Sequence, residues 1–121
     1  SWDFDGGRYK LKTRLTTSRG VVIIYNMRAA PLINERLTLE EAAFVELVVW
    51  RLERPLPGCG HRFKYRLAYV VRGVCVVRYD NEAGKGDHRH VGKRELAYEF
   101  TSIEKLQSDF WADVARWKES P

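Results

Sequence analysis

The chain has 121 residues, of which 45% are hydrophobic and 31% charged, and its formal net charge is +5. This composition excludes a disordered segment and a disulfide-stapled miniprotein, and it predicts one globular domain. The positive charge suits a polyanionic partner, although it also lies in the range that keeps small domains soluble. No apolar run can span a membrane and no signal-peptide pattern opens the chain, so we expect a cytoplasmic protein that does not bind membranes.

Residues 1–26 are predicted to be an N-terminal extension of a domain that occupies residues 27–121. Residues 9–16 alternate weakly, residues 18–20 are a turn candidate, and residues 21–25 are apolar, which is compatible with an additional β-hairpin. The segment is equally compatible with upstream or cloning-derived sequence ahead of Met27, the only methionine. We favour the second interpretation.

Regular strand patterns follow from residue 28 onwards. Residues 32–39 and 44–52 read as strands around a turn at residues 40–42, and the Pro/Gly loop at residues 55–60 ends the second strand. The next strand, from residue 63 to 71, alternates clearly between apolar and basic positions. Its basic side, called the basic stripe, consists of Arg62, Lys64 and Arg66.

The strand returns as a hairpin through Arg72 and Gly73. A two-residue turn at these positions places Arg66 opposite Tyr79. Tyr79 and Asn81 then share the face of the basic stripe. Cys75, in a run of valines, is predicted to be a small buried side chain. With only one other cysteine, Cys59, and no Cys-x-x-Cys spacing, we interpret both as free thiols of a reducing compartment.

The chain is predicted to end in a short strand, residues 95–100, and an amphipathic helix. Thr101 is the expected N-cap, with Glu104 completing a capping box. Apolar residues then recur at helical spacing, namely Ile103, Leu106, Phe110, Val114 and Trp117. We therefore predict an α+β fold: an antiparallel β-meander of four to five strands with one C-terminal helix packed on one face.

Residues 79–92 carry an unusual density of polar groups, including two of the three histidines. The glycines of this segment permit tight or left-handed backbone conformations. If the segment is extended, His88 and His90 point to the same side, with Cα atoms about 6.5–7 Å apart. Two imidazoles at this spacing suit one general base and one general acid acting on a single phosphate.

These residues predict a metal-independent endoribonuclease, in which a ribose 2′-hydroxyl attacks the adjacent phosphate. Lys85 and Arg89 would stabilise the developing negative charge. Tyr79, Asp80 and Asn81 would position the reacting groups. RNA would be bound by the basic stripe together with Arg78, and no cofactor is expected.

Three alternatives remain open at this point. His88 and His90 with Asp80, Asp87 or His61 could form the metal site of a His-based nuclease. The aromatic, basic sheet could bind RNA or a protein without cleaving anything. Finally, the histidines could simply end strands, with the surrounding charges solvated.

Three segments together resemble the TumE family of small toxins, which are encoded beside a helix-turn-helix antitoxin. They are HRFKYR (residues 61–66), RYDNEAGKGDHRHVG (residues 78–92) and DFWADV (residues 109–114). The resemblance covers about residues 27–118, and its shared polar residues match Tyr79, Asp80, Asn81, His88 and His90. It implies a growth-inhibiting toxin that acts on RNA and is neutralised by its cognate antitoxin. An acidic antitoxin segment would then be expected to dock on the basic stripe.

Overall fold

The computed structural model describes residues 2–5, 8–16 and 22–120, and side chains from Met27 to Ser120. Within these residues the chain forms one antiparallel sheet whose eight strands follow in sequence order, and one helix, α1 (Ile103–Glu119). The strands are β1 (Trp2–Asp5), β2 (Arg8–Thr16), β3 (Val22–Glu40), β4 (Ala43–Leu52), β5 (Phe63–Val71), β6 (Val74–Glu82), β7 (Gly86–Val91) and β8 (Arg94–Ala97).

The predicted α+β meander with one C-terminal helix is confirmed, but the strand number was too low. Six strands, β3 to β8, lie between residue 22 and the helix. The number exceeds the prediction because residues 79–92 form the end of β6, a short turn and the whole of β7. The favoured interpretation of residues 1–26, upstream or cloning-derived sequence, stays a prediction, while β2 pairs antiparallel with β3, as the alternative hairpin requires. Its predicted turn at residues 18–20 lies outside the described residues. The domain boundary at Met27 stays a prediction.

Helix α1 covers one face of the sheet, which we call the helix face. Alternating residues of β4, β5 and β6 point to this side, as the pleat requires. The face is completed by three buried helix residues at i, i+4 and i+8, Leu106, Phe110 and Val114. The strand residues of this core include Val45, Leu47, Val49, Tyr65, Leu67, Tyr69, Val77 and Tyr79. The opposite side of β5 to β8 is called the open face.

The predicted apolar stripe of α1 is confirmed, but its predicted cap is not. Ser102, rather than Thr101, is the N-cap, and its hydroxyl accepts a hydrogen bond from the Lys105 N–H at 3.0 Å. Glu104 therefore does not complete a capping box and instead lies in the first turn, where a carboxylate suits the helix dipole. In the described part of the chain, no helix combines the length and apolarity needed to cross a bilayer.

The β5–β6 hairpin has the predicted turn at Arg72 and Gly73, both with positive φ (50° and 78°). Two central residues with positive φ are typical of the turn whose twist matches paired strands. Cys75 lies close to this turn, beyond the helix cover, and is exposed rather than buried as predicted. Strand β8 ends at Ala97, so the predicted strand at residues 95–100 is three residues too long at its C-terminal end.

A β-bulge changes the register of this hairpin. Tyr69 lies opposite Val77 and Val70 lies opposite Cys75, so Val76 is an extra residue in β6. Beyond the bulge, Arg66 lies opposite Asp80 instead of Tyr79. Because one residue reverses the faces of a strand, the predicted placement was wrong. Tyr79 and Asn81 lie on the helix face, whereas Arg78 and Asp80 lie on the open face.

Gly86, at the start of β7, approaches a neighbouring loop closely. Its φ is +80°, and a Cβ there would lie 2.9 Å from the Gly58 carbonyl oxygen, whereas Gly73 has φ +78° and no heavy atom within 4 Å of a Cβ. We expect Gly73→Ala to cost about 1–2 kcal/mol, the backbone penalty alone. Gly86→Ala should cost a further roughly 1–3 kcal/mol, because the added methyl group must displace backbone. Urea unfolding measures the loss of stability in both variants. Equal losses would contradict the close approach of Gly86 to Gly58.

Candidate functional site

His88 and His90 lie on the open face, as the His-x-His spacing predicted. In the β6–β7 pairing Asp80 lies opposite His88 and Arg78 lies opposite His90, so all four side chains share one face. The two imidazole centroids are 5.1 Å apart. We call these four residues the open-face cluster. It contains three of the predicted site residues, while Arg78 was predicted only as an RNA contact.

His88 is held between two acceptors. Its Nδ1 is 3.2 Å from the carbonyl oxygen of Gly86, which can only accept, so Nδ1 carries a proton. Its Nε2 is 2.7 Å from Oδ1 of Asp80, and the two side chains are only 5% and 11% exposed. An unprotonated Nε2 this close to a carboxylate oxygen would be repelled by it, because both atoms carry lone pairs. A proton or a metal ion shared by the two atoms would remove this repulsion.

The short contact is not a well-directed hydrogen bond. Asp80 Oδ1, His88 Nε2 and Arg78 Nε are all buried, and none meets hydrogen-bond angles with a partner in the described part of the chain. Buried polar atoms without a directed partner are rare in folded proteins and cost free energy. Their concentration in one cluster is typical of a functional site rather than of a structural one.

His90 is a neutral imidazole. Its Nε2 is 2.9 Å from Nη2 of Arg78, and a guanidinium only donates, so Nε2 accepts and the ring is neutral. Burial, followed by the positive charge of Arg78, lowers the pKa of His90 from its ordinary value. The side chain is also more accessible than that of His88. The cluster thus holds one doubly protonated and one neutral imidazole, if a proton bridges Asp80 and His88.

A bound metal ion is the other way to give the buried Asp80 and His88 atoms a partner. Asp80, His88 and His90 present donor atoms that all lie within 4.8 Å of one another. The backbone carbonyl on Nδ1 of His88 is also a common feature of metal-binding histidines. However, Arg78 lies among these donors, 3.3 Å from Asp80 Oδ2 and 2.9 Å from His90. A fixed positive charge opposes a divalent cation and favours an anion such as phosphate.

A second group with metal-ligand chemistry, Cys59, His61 and Asp87, has a structural explanation. The Phe63 N–H donates to Nδ1 of His61, so Nε2 carries the proton and donates to Asp87 Oδ2 at 2.6 Å. Tyr65 donates to the same oxygen at 2.6 Å. Burial raises the pKa of Cys59 to about 11. All members are satisfied without a metal ion, and the thiol is not activated.

Asn81 lies away from the histidine pair, in the core between β5 and β6. Its side chain accepts from the Tyr65 N–H at 3.0 Å and donates to the Phe63 carbonyl at 2.6 Å. Asn81 is fully buried, so its amide cannot donate to an oxyanion on the open face. The residue instead links two strands at the end of the sheet.

Tyr79 and Arg89 also lie on the helix face, where they hold α1 to the sheet. The Tyr79 hydroxyl donates to Asp113 Oδ2 at 2.5 Å, and burial is the main cause that raises its pKa to about 12. Arg89 donates to the Tyr79 oxygen at 3.2 Å and lies 3.3 Å from Asp113. Neither group faces the histidine pair, so their predicted positions in the site are wrong.

Lys85 reaches the open-face cluster through a residue that the sequence analysis missed. Its ammonium is 2.5 Å from Glu95 Oε1, and the same oxygen is 3.9 Å from Nε2 of His90. Glu95 lies opposite His90 in the β7–β8 pairing. The turn signal at Gly92 and Lys93 could have revealed this pairing, because a two-residue turn there sets the register of the hairpin.

The basic stripe lies on the open face beside the cluster, but part of its charge is engaged. Arg66 lies 3.5 Å from Glu46, and the Lys64 ammonium donates to the Asn81 carbonyl. Burial lowers the pKa of Lys64. Arg62 is exposed just before β5. The stripe therefore offers Arg62 and Arg66 to a polyanion more readily than Lys64.

A protein-family model described as Toxin TumE matches residues 12–118. The chain belongs to the TumE toxin family. It is therefore the toxin of a toxin–antitoxin system, and the family indicates an antitoxin partner. No curated protein and no solved structure matches the chain. The TumE match begins upstream of Met27. The segments that carried the resemblance lie mainly on β5, β6 and β7, which carry the basic stripe and the open-face cluster, and on α1.

The protonation of His90 in this TumE toxin can be measured by NMR titration. We expect its pKa below 6.5, and Arg78→Gln should raise it without reaching 6.5, because burial is the larger cause. Arg66→Gln, which alters a side chain paired with Glu46, should leave it unchanged.

The lowered pKa of His90 also determines the direction in which the stability of the protein changes with pH. Since the folded-state pKa is the lower one, the unfolded chain takes up the proton first as pH falls below 6.5. As pH falls from 6.5 towards the folded-state pKa of His90, this residue therefore lowers the free energy of unfolding progressively. A His90 pKa above 6.5 would contradict the Arg78–His90 contact.

Proposed function

We propose that this toxin inhibits growth by cleaving RNA without a metal ion, with the open-face cluster as its catalytic centre. The supporting observation is the pair of imidazoles 5.1 Å apart, one held by Asp80 and the other accepting from Arg78. Adjacent groups whose surroundings favour opposite protonation states are suited to acid and base roles.

In this proposal His90 is the general base and His88 the general acid. An RNA phosphate draws Arg78 away from His90, which frees Nε2 to take the proton of the ribose 2′-hydroxyl. The 2′-oxygen attacks phosphorus and the bond from phosphorus to the 5′-oxygen breaks. Because Arg78 also lies against Asp80, its displacement would uncover the buried Nε2 of His88, from which the leaving oxygen takes a proton. The products are a 2′,3′-cyclic phosphate and a 5′-hydroxyl. Arg78 stabilises the charge that develops on the phosphate.

The RNA strand would lie along the open face, across the basic stripe. Arg62 and Arg66 would contact phosphates, and Lys85, paired with Glu95, would lie near the nucleotide that His90 contacts. We further propose that the protein acts in the cytoplasm and that its antitoxin is a helix-turn-helix protein, as the resemblance implies.

A metal-dependent nuclease is the second candidate. It is favoured by the three donor atoms within 4.8 Å and by the backbone carbonyl on His88 Nδ1. In that case Asp80, His88 and His90 would hold the ion, and the ion would activate a water molecule. Arg78 would have to leave the donor set, which makes this candidate the less favoured one.

Purified protein incubated with end-labelled RNA in EDTA separates these functions. We expect discrete products that carry 2′,3′-cyclic phosphates. Activity that EDTA abolishes and zinc or manganese restores would establish the metal-dependent candidate. Binding without any product, with and without added metal, would instead identify a non-catalytic RNA-binding toxin.

His90→Gln tests the catalytic role directly. We expect cleavage to fall by about 10²–10⁴-fold, the usual contribution of a general base, with little loss of stability because His90 is partly exposed. His61→Gln is the matched control, since this third histidine lies in the Asp87 network on the other side of β7. The control should lose stability but keep its cleavage rate per folded molecule. A folded His90→Gln protein with full activity would overturn the assignment.

The basic stripe should contribute to affinity rather than to the chemical step. Arg66→Gln is expected to reduce the slope of log K against log salt by about 0.7 for single-stranded RNA, because one phosphate contact is lost. Arg51→Gln removes an exposed arginine of β4 opposite Phe63, on the helix face, and should leave the slope unchanged. Filter binding at several salt concentrations measures both. Equal slopes for Arg66→Gln and the unmodified protein would place the RNA elsewhere.

A further inference from the structure

A cleft lies on the helix face, between the C-terminal half of α1 and strands β7 and β8. Its volume is about 490 Å³, and three arginines line it, Arg89, Arg94 and Arg116. Leu96 and Trp117 supply apolar surface, and Asp113 lies among the arginines. We call this cleft the arginine groove. It lies on the opposite side of the sheet from the open-face cluster.

The groove carries more positive than negative charge. Asp113 is 3.3 Å from Arg89 and 2.7 Å from Arg116, so one carboxylate is shared by two guanidinium groups. Arg94 is exposed and makes no ion pair with any side chain that the structure describes. An acidic ligand would therefore find one unpaired arginine and two that are only half neutralised.

The groove is bordered by a sheet edge. Strand β8 is the last strand in the order and has β7 on one side only within the described chain. The Tyr98 N–H donates to the Asp87 carbonyl across this pair, so by the antiparallel alternation the backbone groups of Glu95 and Ala97 point outwards. An open edge of this kind is a template for an added strand.

We propose that the arginine groove and the outer edge of β8 form the docking surface for an acidic segment of the antitoxin. The segment adds a strand beside β8 and places a carboxylate on Arg94 and an apolar side chain against Leu96. This inference goes beyond the proposed RNA cleavage and does not depend on it. It rests on the TumE family membership, which indicates the partner, and on the geometry of the groove.

A polypeptide fits this surface better than RNA does. The two guanidinium partners of Asp113 can share a second carboxylate, one from the partner segment. The apolar surface of Leu96 and Trp117 suits a side chain, and only a polypeptide can continue the backbone ladder of β8. The basic stripe, the docking surface expected from the sequence, is the weaker candidate because it follows β5, which lies between β4 and β6 and has no open edge for an added strand.

Charge reversal at Arg94 tests the proposal. Arg94→Glu should weaken the complex with the purified protein encoded by the neighbouring reading frame by at least about 10-fold, measured by calorimetry, since a favourable contact becomes a repulsive one. Arg51→Glu, an exposed arginine on β4, is the matched control and should bind normally. In cells, Arg94→Glu should remain toxic but escape neutralisation. Unchanged affinity of Arg94→Glu, or a larger loss of RNA affinity than of antitoxin affinity, would overturn the proposal.

Hydrogen exchange provides a measurement that needs no variant. In the complex with the unmodified toxin, exchange of the Glu95 and Ala97 amides should slow, because the added strand accepts their hydrogen bonds. Unchanged exchange at both amides would rule out strand addition at this edge. Neither experiment involves RNA cleavage, so a toxin that proves not to be a nuclease would still allow the docking surface to be confirmed or rejected.

Discussion

The extra residue at Val76 in β6 is the constraint on which the rest of the site depends. It shifts the pairing of β5 with β6 by one position, so that Arg66 lies opposite Asp80. Without the bulge, Asp80 and Arg78 would point into the helix-covered core, and Tyr79 would point to the open face. Two charged groups would then be buried under α1 at a cost of several kcal/mol each. The packing of Tyr79 against Phe110 and the position of the catalytic candidates on the open face are thus determined by the same residue.

Because of the bulge, neighbouring residues of β6 and β7 have different roles on the two faces of the sheet. Tyr79 and Arg89 bind Asp113 and hold the helix, whereas Asp80 and His88 form the buried pair at the centre of the open-face cluster. The pair is stable only as a unit, because removal of one partner leaves the other buried without compensation. Arg78 adds a positive charge on the accessible side of this pair. The electrostatic result is a site that favours an incoming phosphate over a cation.

Local patterns predicted the elements of this fold well, and one tertiary feature, the bulge in β6, explains why the faces of this strand were predicted wrongly. The alternation of β5, the helical stripe through Leu106 and Phe110, and the shared side of His88 and His90 all follow from periodicity alone. The bulge does not, since no residue in the run of valines around Val76 marks an insertion in the pairing. Tyr79 and Asn81 were therefore placed on the face of the basic stripe although they face the helix. The error at Arg89 has another origin, since the alternation of β7 alone puts Arg89 on the side opposite His88 and His90. The choice of Ser102 over Thr101 as N-cap is likewise not visible in the sequence, because both residue types are good caps.

Docking at the β8 edge would bring the antitoxin within reach of the catalytic candidates despite the intervening sheet. A strand added beside β8 lies two strand spacings, about 9.6 Å, from β7. Every second side chain of such a strand projects towards the open face, on the side where Glu95 lies 3.9 Å from His90. A side chain at that position can lie over Glu95 and His90 and exclude the phosphate from the imidazole by its volume. Inhibition then follows from direct competition on the open face, and the sheet needs no conformational change to transmit it.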